Sequence, residues 1–242
     1  GVRYVSAASS LKSSHCDREY SVTMTGLQPA LGAGFGCGTI VGMDSALRPR
    51  RSVLFMPGAN ARALEKARSI DCDGIIIDLE DAVAPDLKVE ARERTAGVVR
   101  GHPYGYREVA IRVNGMDTQW YHDDLVAAVA AGPDAIAVPK VSSAEQVRAI
   151  VADMEAAGAD KSVKLWAMIE TPRAVLDCLD IAEASDRLTV LIMGTNDLTK
   201  ELRASHVAGR APVVTALQIC MLAARAAGTA ILDGVYNDVR DV

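Results

Sequence analysis

From Arg51 onward the chain alternates short apolar runs with longer amphipathic stretches. Seven runs read as strands: Ser52–Met56, Gly74–Leu79, Val109–Val113, Ala135–Pro139, Leu165–Ile169, Leu188–Met193 and Ala230–Val235. They are rich in Val and Ile and almost continuously hydrophobic, the pattern of strands buried on both faces. Between them lie helical patterns at Ala61–Ser69, Leu87–Val99, Trp120–Ala131, Ala144–Ala157, Arg173–Ala184 and Val213–Ala227. Asn60 is placed to cap the first helix and Ser142 or Ser143 the fourth, and Gly132, Gly158 and Gly228 each follow one. Pro172 suits the first turn of the fifth, where its missing N–H costs nothing.

Strands joined by crossover helices at intervals of roughly 25–40 residues predict a parallel sheet, either a (β/α)8 (TIM) barrel or an open doubly wound sheet. Polar residues stand at or just past the C-terminal end of nearly every strand: Asp78, Glu80 and Asp81; Arg112 and Asn114; Lys140; Glu170; Asn196 and Asp197; Asp233 and Asn237. An open sheet concentrates its site at one switch point, whereas a barrel gathers it from many strands, so the barrel is favoured. No eighth strand follows the seventh, which predicts a barrel truncated there. Residues 1–42 lack a sustained period and read as an irregular extension or a non-native leader, with 43–242 as the barrel domain and Met43 as a plausible native start. The glycine-rich stretch from Gly32 to Gly38 neither follows a strand nor opens a helix, so it is not a dinucleotide loop.

Composition narrows the function. The 242 residues are 50% hydrophobic and 24% charged, with a net charge of −5. That acidic balance argues against nucleic acid or an anionic membrane as partner, and 4% aromatic residues leave little for base stacking. No apolar run reaches the roughly 20 residues that span a bilayer. The cysteines (Cys16, Cys37, Cys72, Cys178 and Cys220) form no C-x-x-C pair, which argues against a disulfide framework or structural zinc and fits a reducing cytoplasm.

The strand ends carry the candidate chemistry. Glu170 and Asp197 end consecutive strands and either cap the following helices or share a hard divalent cation. With no Cys or His at these ends, Mg²⁺ or Mn²⁺ is favoured over Zn²⁺. Asp78, Glu80 and Asp81 crowd the end of one strand and need a cation, water or Arg/Lys to neutralise them. Arg112 and Lys140 are the natural neutralisers, as an ion-pair network or as part of a site. A guanidinium there also suits clamping a carboxylate or stabilising an enolate oxygen. Met56–Asn60 either offers backbone N–H groups to an anion or forms a tight strand–helix turn.

At these residues the sequence resembles the citrate lyase β-subunit-like branch of the HpcH/HpaI aldolase family, which includes malyl-CoA lyases. The matching segments occur in family order: Arg51–Gly58, Ile77–Val83, Ile111–Gly115, Val138–Lys140, Met168–Pro172 and Asp233–Asp238. The Gly194-Thr195-Asn196-Asp197-Leu198 segment resembles a CitE-like subgroup. The resemblance implies a barrel that cleaves or forms a C–C bond in a short hydroxyacyl-CoA or hydroxy/keto acid. Glu170 and Asp197 would ligate Mg²⁺, Arg112 would hold substrate, and Asp78, Glu80 and Asp81 would support the metal's waters and the site's charge. Substrate contacts would come from Pro57, Gly58, Lys140 and Asn237, with Arg50 to Gly58 near the acyl-CoA. A homo-oligomer, trimer or hexamer, is also implied. Two other outcomes stand beside the lyase: a malyl-CoA-type thioesterase, and a non-catalytic acyl-CoA-binding or lyase-complex subunit.

Overall fold

The computed structural model describes residues 20–23 and 48–237. Seven parallel strands form the frame: β2 (Ser52–Pro57), β3 (Gly74–Asp78), β4 (Glu108–Arg112), β5 (Ala135–Val138), β6 (Lys164–Ile169), β7 (Leu188–Met193) and β8 (Ala230–Leu232). Each pairs with the next in chain order, so the sheet curls in one direction. The helices α1 (Ala61–Ala67), α2 (Lys88–Arg100), α3 (Tyr121–Ala131) and α4 (Ala144–Ala156) follow β2 to β5 in turn. After β6 come α5 (Pro172–Leu176) and α6 (Cys178–Ala182), and after β7 come α7 (Thr195–Glu201) and α8 (Ala211–Ala226). This is the TIM-barrel-like α/β fold that the strand–helix alternation predicts.

Period-2 alternation divides the apolar side chains between two cores. Met56, Ile75, Ile77, Ile111, Ile136, Val138, Leu165, Ile169 and Leu191 belong to the larger core, which also takes the buried faces of the helices. Val53, Phe55, Ile76, Ala110, Ala135, Ala137, Trp166, Met168, Val190, Ile192 and Leu232 form the second, inside the curl. Ala137 stands in register beside Trp166. The volume left by the alanines of β4 and β5 is thus taken by one large, fully buried indole.

Three differences from expectation have local causes. Tyr20–Thr23, in the segment expected to be irregular, is strand β1 and pairs antiparallel with β2. On its other side β1 pairs with β9 (Val235–Tyr236), which continues from β8 after Asp233 and Gly234. Among the described residues an antiparallel strand therefore lies between β2 and the continuation of β8; four residues are too few to carry a periodic signal. The expected Arg173–Ala184 helix is two, broken at Asp177, whose ψ of 15° leaves the helical basin. The stripe Ala174, Val175, Cys178, Ile181 and Ala182 nonetheless stays buried across the break. Helix α7, seven residues long, had no periodic signature to betray it.

The N-terminal ends of the strands are held by charge. Arg50, just before β2, donates from Nε to Glu108 Oε2 at 2.6 Å and from Nη2 to Oε1 at 2.8 Å, and stacks over Trp166. Arg50 therefore lies at the end of the barrel where the parallel strands begin, while Pro57 and Gly58 stand at the other end of β2. Among the described residues no helix is long and apolar enough to cross a membrane. Arg50→Met should strand the buried Glu108 carboxylate and cost on the order of 3 kcal/mol, a melting temperature lower by roughly 6–12 °C. Arg50→Met/Glu108→Leu should recover part of that loss in the same thermal melt.

Candidate active site

Parallel strands bring all their C-terminal ends to one mouth. Asp78 and Arg112 are the last residues of β3 and β4 and stand in register. Their side chains meet fork to fork, Nε to Oδ1 at 2.7 Å and Nη2 to Oδ2 at 2.6 Å. The same carboxylate accepts from the backbone N–H groups of Glu80 and Ala82, which ends β3 in a turn. With the strand ended, alternation no longer separates the three acids. Arg112 Nη1 lies 2.9 Å from Glu80 Oε2 and 3.8 Å from Asp81 Oδ2. Burial would raise the Asp78 carboxyl, but the Arg112 charge and hydrogen bonds outweigh it and hold it below the usual range. Glu80 is pushed up, first by burial and then by Asp81 and Asp78, against the pull of Arg112. Its Oε2 approaches Arg112 off the N–H direction and accepts no hydrogen bond. Lys140, in a left-handed backbone conformation (φ 57°) after β5, reaches Glu80 Oε1 at 3.4 Å.

A third cation was not evident from the strand ends. Lys88, the first residue of α2, is only 5% exposed. Its Nζ donates to Leu79 O at 2.8 Å, Glu80 O at 2.7 Å and Asn114 Oδ1 at 2.7 Å, and lies over the Trp120 ring. Asn114 donates in turn to Leu79 O and to Asp124, and Asp124 accepts from Arg92 Nε at 2.6 Å. The available signal was that Lys88 shares the inward stripe of α2 with Ala91, Thr95 and Val99.

Glu170, one residue past β6, and Asp197, in the first turn of α7, face the acid cluster across the mouth. Neither is a helix cap: Thr171 caps α5 through its side chain, and Gly194 occupies the cap position of α7. The Glu170 carboxyl is pushed up to about 8 by burial first, then by Glu80 and by the charge and hydrogen bond of Asp197. Its Oε1 is buried without a hydrogen-bond partner. Gly194 makes that packing possible, because a Cβ there would overlap Glu170 Cγ; the glycine serves close approach and not a special φ.

Between these groups lies a pocket of about 110 Å³. Phe55, Met168, Ile192 and Val235 supply its apolar wall, and Arg112, Asp81, Glu170, Asp197, Thr195 and Asn196 its polar one. Asn237 brackets the mouth by exchanging amide hydrogen bonds with Asn196 at 2.9 and 3.3 Å. Pro57 and Gly58 are outside the lining. Gly58 N donates to Asp78 O, Asn60 N to Pro57 O, and the Asn60 side chain takes the N–H groups of Arg62 and Ala63. The Gly58 and Asn60 N–H groups are thus spent within a tight strand–helix turn.

The oxygens present fit a hard cation. Among the described residues no three Asp, Glu, His or Cys side chains are arranged to hold a metal by themselves. Two carboxylates, one with a buried unpartnered oxygen, opening on a pocket is the partial shell Mg²⁺ accepts, since it keeps waters in its remaining positions.

The chain belongs to the HpcH/HpaI aldolase/citrate lyase family, whose model matches residues 51–242. It is 49% identical over 199 residues to a (3S)-malyl-CoA thioesterase of Cereibacter sphaeroides, covering 82% of this chain and 67% of that protein. It is 34% identical over 199 residues to citrate lyase subunit beta of Escherichia coli, covering 80% of this chain and 66% of that subunit. The chain thus spans about two thirds of the length of these relatives. Among solved structures it resembles the citrate lyase beta subunit from M. tuberculosis complexed with oxaloacetate and magnesium, at 29% identity and a TM-score of 0.64, over 78% of this chain and 80% of that one.

Three outcomes are expected. Gly194→Ala leaves every carboxylate in place but displaces Glu170, and should weaken Mg²⁺ binding by about 10–100-fold in calorimetry. Mg²⁺ must also displace the proton that Glu170 retains up to about 8. Affinity should therefore rise by about tenfold per pH unit below that value and level off above it. The sign for folding is opposite: the unfolded chain releases this proton near 4.5 and the folded one near 8, so metal-free stability should fall as pH rises across that window, a trend thermal melts can follow.

Proposed function

We propose that this chain is a Mg²⁺-dependent enzyme hydrolysing the thioester of a short 3-hydroxyacyl-CoA of the malyl-CoA type. The observation that carries the reading is the identity gap: 49% to the (3S)-malyl-CoA thioesterase against 34% to citrate lyase subunit beta. Carbon–carbon cleavage, which the motif set favours, becomes the second reading, supported by the citrate lyase beta structure that holds oxaloacetate and magnesium.

Each group has a task in this reading. Glu170 and Asp197 would hold the metal, which when bound would supply positive charge to polarise a ligand oxygen. Mn²⁺ would satisfy the same oxygens. Arg112 has Nε and Nη2 committed to Asp78, so its Nη1, now against Glu80 Oε2 at 2.9 Å and Met168 Sδ at 3.8 Å, would be the group to turn to a ligand oxygen in the pocket. Asp81 lines the pocket with a largely exposed carboxylate, and is best placed to take the proton of a water attacking the thioester carbonyl. Attack by that water breaks the C–S bond, the CoA sulfur leaves as thiolate and takes up a proton, and the free hydroxy acid remains. Phe55, Met168, Ile192 and Val235 keep bulk water from the acyl group. Lys140 and Asn237 would contact substrate from the rim, and assembly into a homo-oligomer would follow the family.

Product analysis separates the readings. With malyl-CoA and Mg²⁺, a thioesterase releases free CoA thiol and malate with no glyoxylate, whereas a lyase yields glyoxylate and acetyl-CoA. Thiol without glyoxylate is the expected result, and Asp197→Asn should lower its rate by about 100-fold or more. Binding without either product would leave the acyl-CoA-binding subunit as the reading.

A further inference from the structure

The Lys88 ammonium is buried, yet it touches no part of the pocket. All three of its protons go to neutral oxygens: Leu79 O, Glu80 O and Asn114 Oδ1. The two carbonyls belong to the peptide units on either side of the Glu80 Cα. Pinning both planes toward α2 fixes the direction of the Glu80 Cα–Cβ bond, and the side chain projects the opposite way, onto Arg112 and Lys140. Asn114 Nδ2 holds the first of these carbonyls a second time, at 2.9 Å, and is itself fixed by Asp124. The relay ends at Arg92 Nε on α2, one turn from Lys88, so a single helix anchors both ends of it. Burying an ammonium against neutral oxygens costs free energy unless its field is used. The charges it faces across the turn are Asp78, Glu80, Asp124 and Asp81.

We propose that Lys88 is a positioning residue that aims the Glu80 carboxylate into the mouth and so sets the geometry and field in which the cation and substrate are held. The importance for metal rests on the proposed function; the orientation of Glu80 does not.

The test uses the whole chain carrying Lys88→Met, which keeps the length and removes the charge, with Lys88→Gln in reserve should the first variant not fold. Arg50→Met, at the far end of the barrel, serves as a control for lost stability alone. A crystal structure of the Lys88 variant should show the peptides flanking Glu80 rotated and its 2.9 Å contact with Arg112 lost. Calorimetry should show Mg²⁺ binding weakened by about 10–100-fold, the usual scale for a supporting residue, while Arg50→Met binds like the parent. Glu80→Gln should show a similar loss, and Lys88→Met/Glu80→Gln should be no weaker than the weaker single variant, because both act through one carboxylate. A folded Lys88 variant with Glu80 still seated on Arg112, or one that binds Mg²⁺ as Arg50→Met does, overturns the proposal. If the parent chain binds no Mg²⁺, the metal reading fails by itself and the crystallographic comparison still decides what Lys88 positions.

Discussion

The mouth of this barrel depends on one pairing, the fork of Arg112 against Asp78 at adjacent strand ends. Its geometry follows from strand register and not from any loop: the two residues terminate neighbouring parallel strands at the same level. Once Asp78 is engaged by the guanidinium, its remaining lone pairs take the next backbone N–H groups and fold the chain into the turn that carries Glu80 and Asp81. A buried guanidinium without that partner would be costly, and so would Asp78 without the guanidinium. The acid cluster is thus a consequence of a paired cation, and across the mouth the Glu170 oxygen without a hydrogen-bond partner opens on the pocket.

Charge is distributed in two shells around that fork. Arg112 faces the acids from inside the curl, Lys140 from the rim and Lys88 from behind the turn. Across the mouth Glu170 has no cation within hydrogen-bonding reach among its described contacts, and its carboxyl is held at the protonated end of its range by burial and by its acidic neighbours. The asymmetry gives the two sides different characters at neutral pH, one neutralised by side chains and the other by a proton that a cation can replace.

Much of this was legible along the chain. The seven apolar runs that fall on the parallel strands carry an unambiguous signal because both their faces are buried, and the strand-end polar residues follow from the parallel direction. Arg112, Asp78, Glu80, Asp81, Glu170 and Asp197 were all visible for that reason. What periodicity cannot reveal is contact between segments distant in sequence. Lys88 reads as an ordinary first-turn lysine until α2 is laid against the ends of β3 and β4. Gly194 matters only through a neighbour 24 residues away. Pro57 and Gly58 illustrate a different limit: a Pro-Gly turn before a helix carries the same local signature whether its N–H groups are spent on the chain or kept for an anion. The choice between hydrolysis and C–C cleavage is less legible still, since both need the same cation and the same carboxylates.

Trp166 has a wider consequence. Beside the alanines of β4 and β5, with Arg50 stacked beneath it, the fully buried indole fills the interior of the curl between the mouth and the N-terminal strand ends. In the thioesterase reading a bulky carrier such as a nucleotide-linked thiol would stay outside that filled interior while only its short cargo descends toward the indole. The depth of the cup above Trp166 would then act as a ruler for chain length.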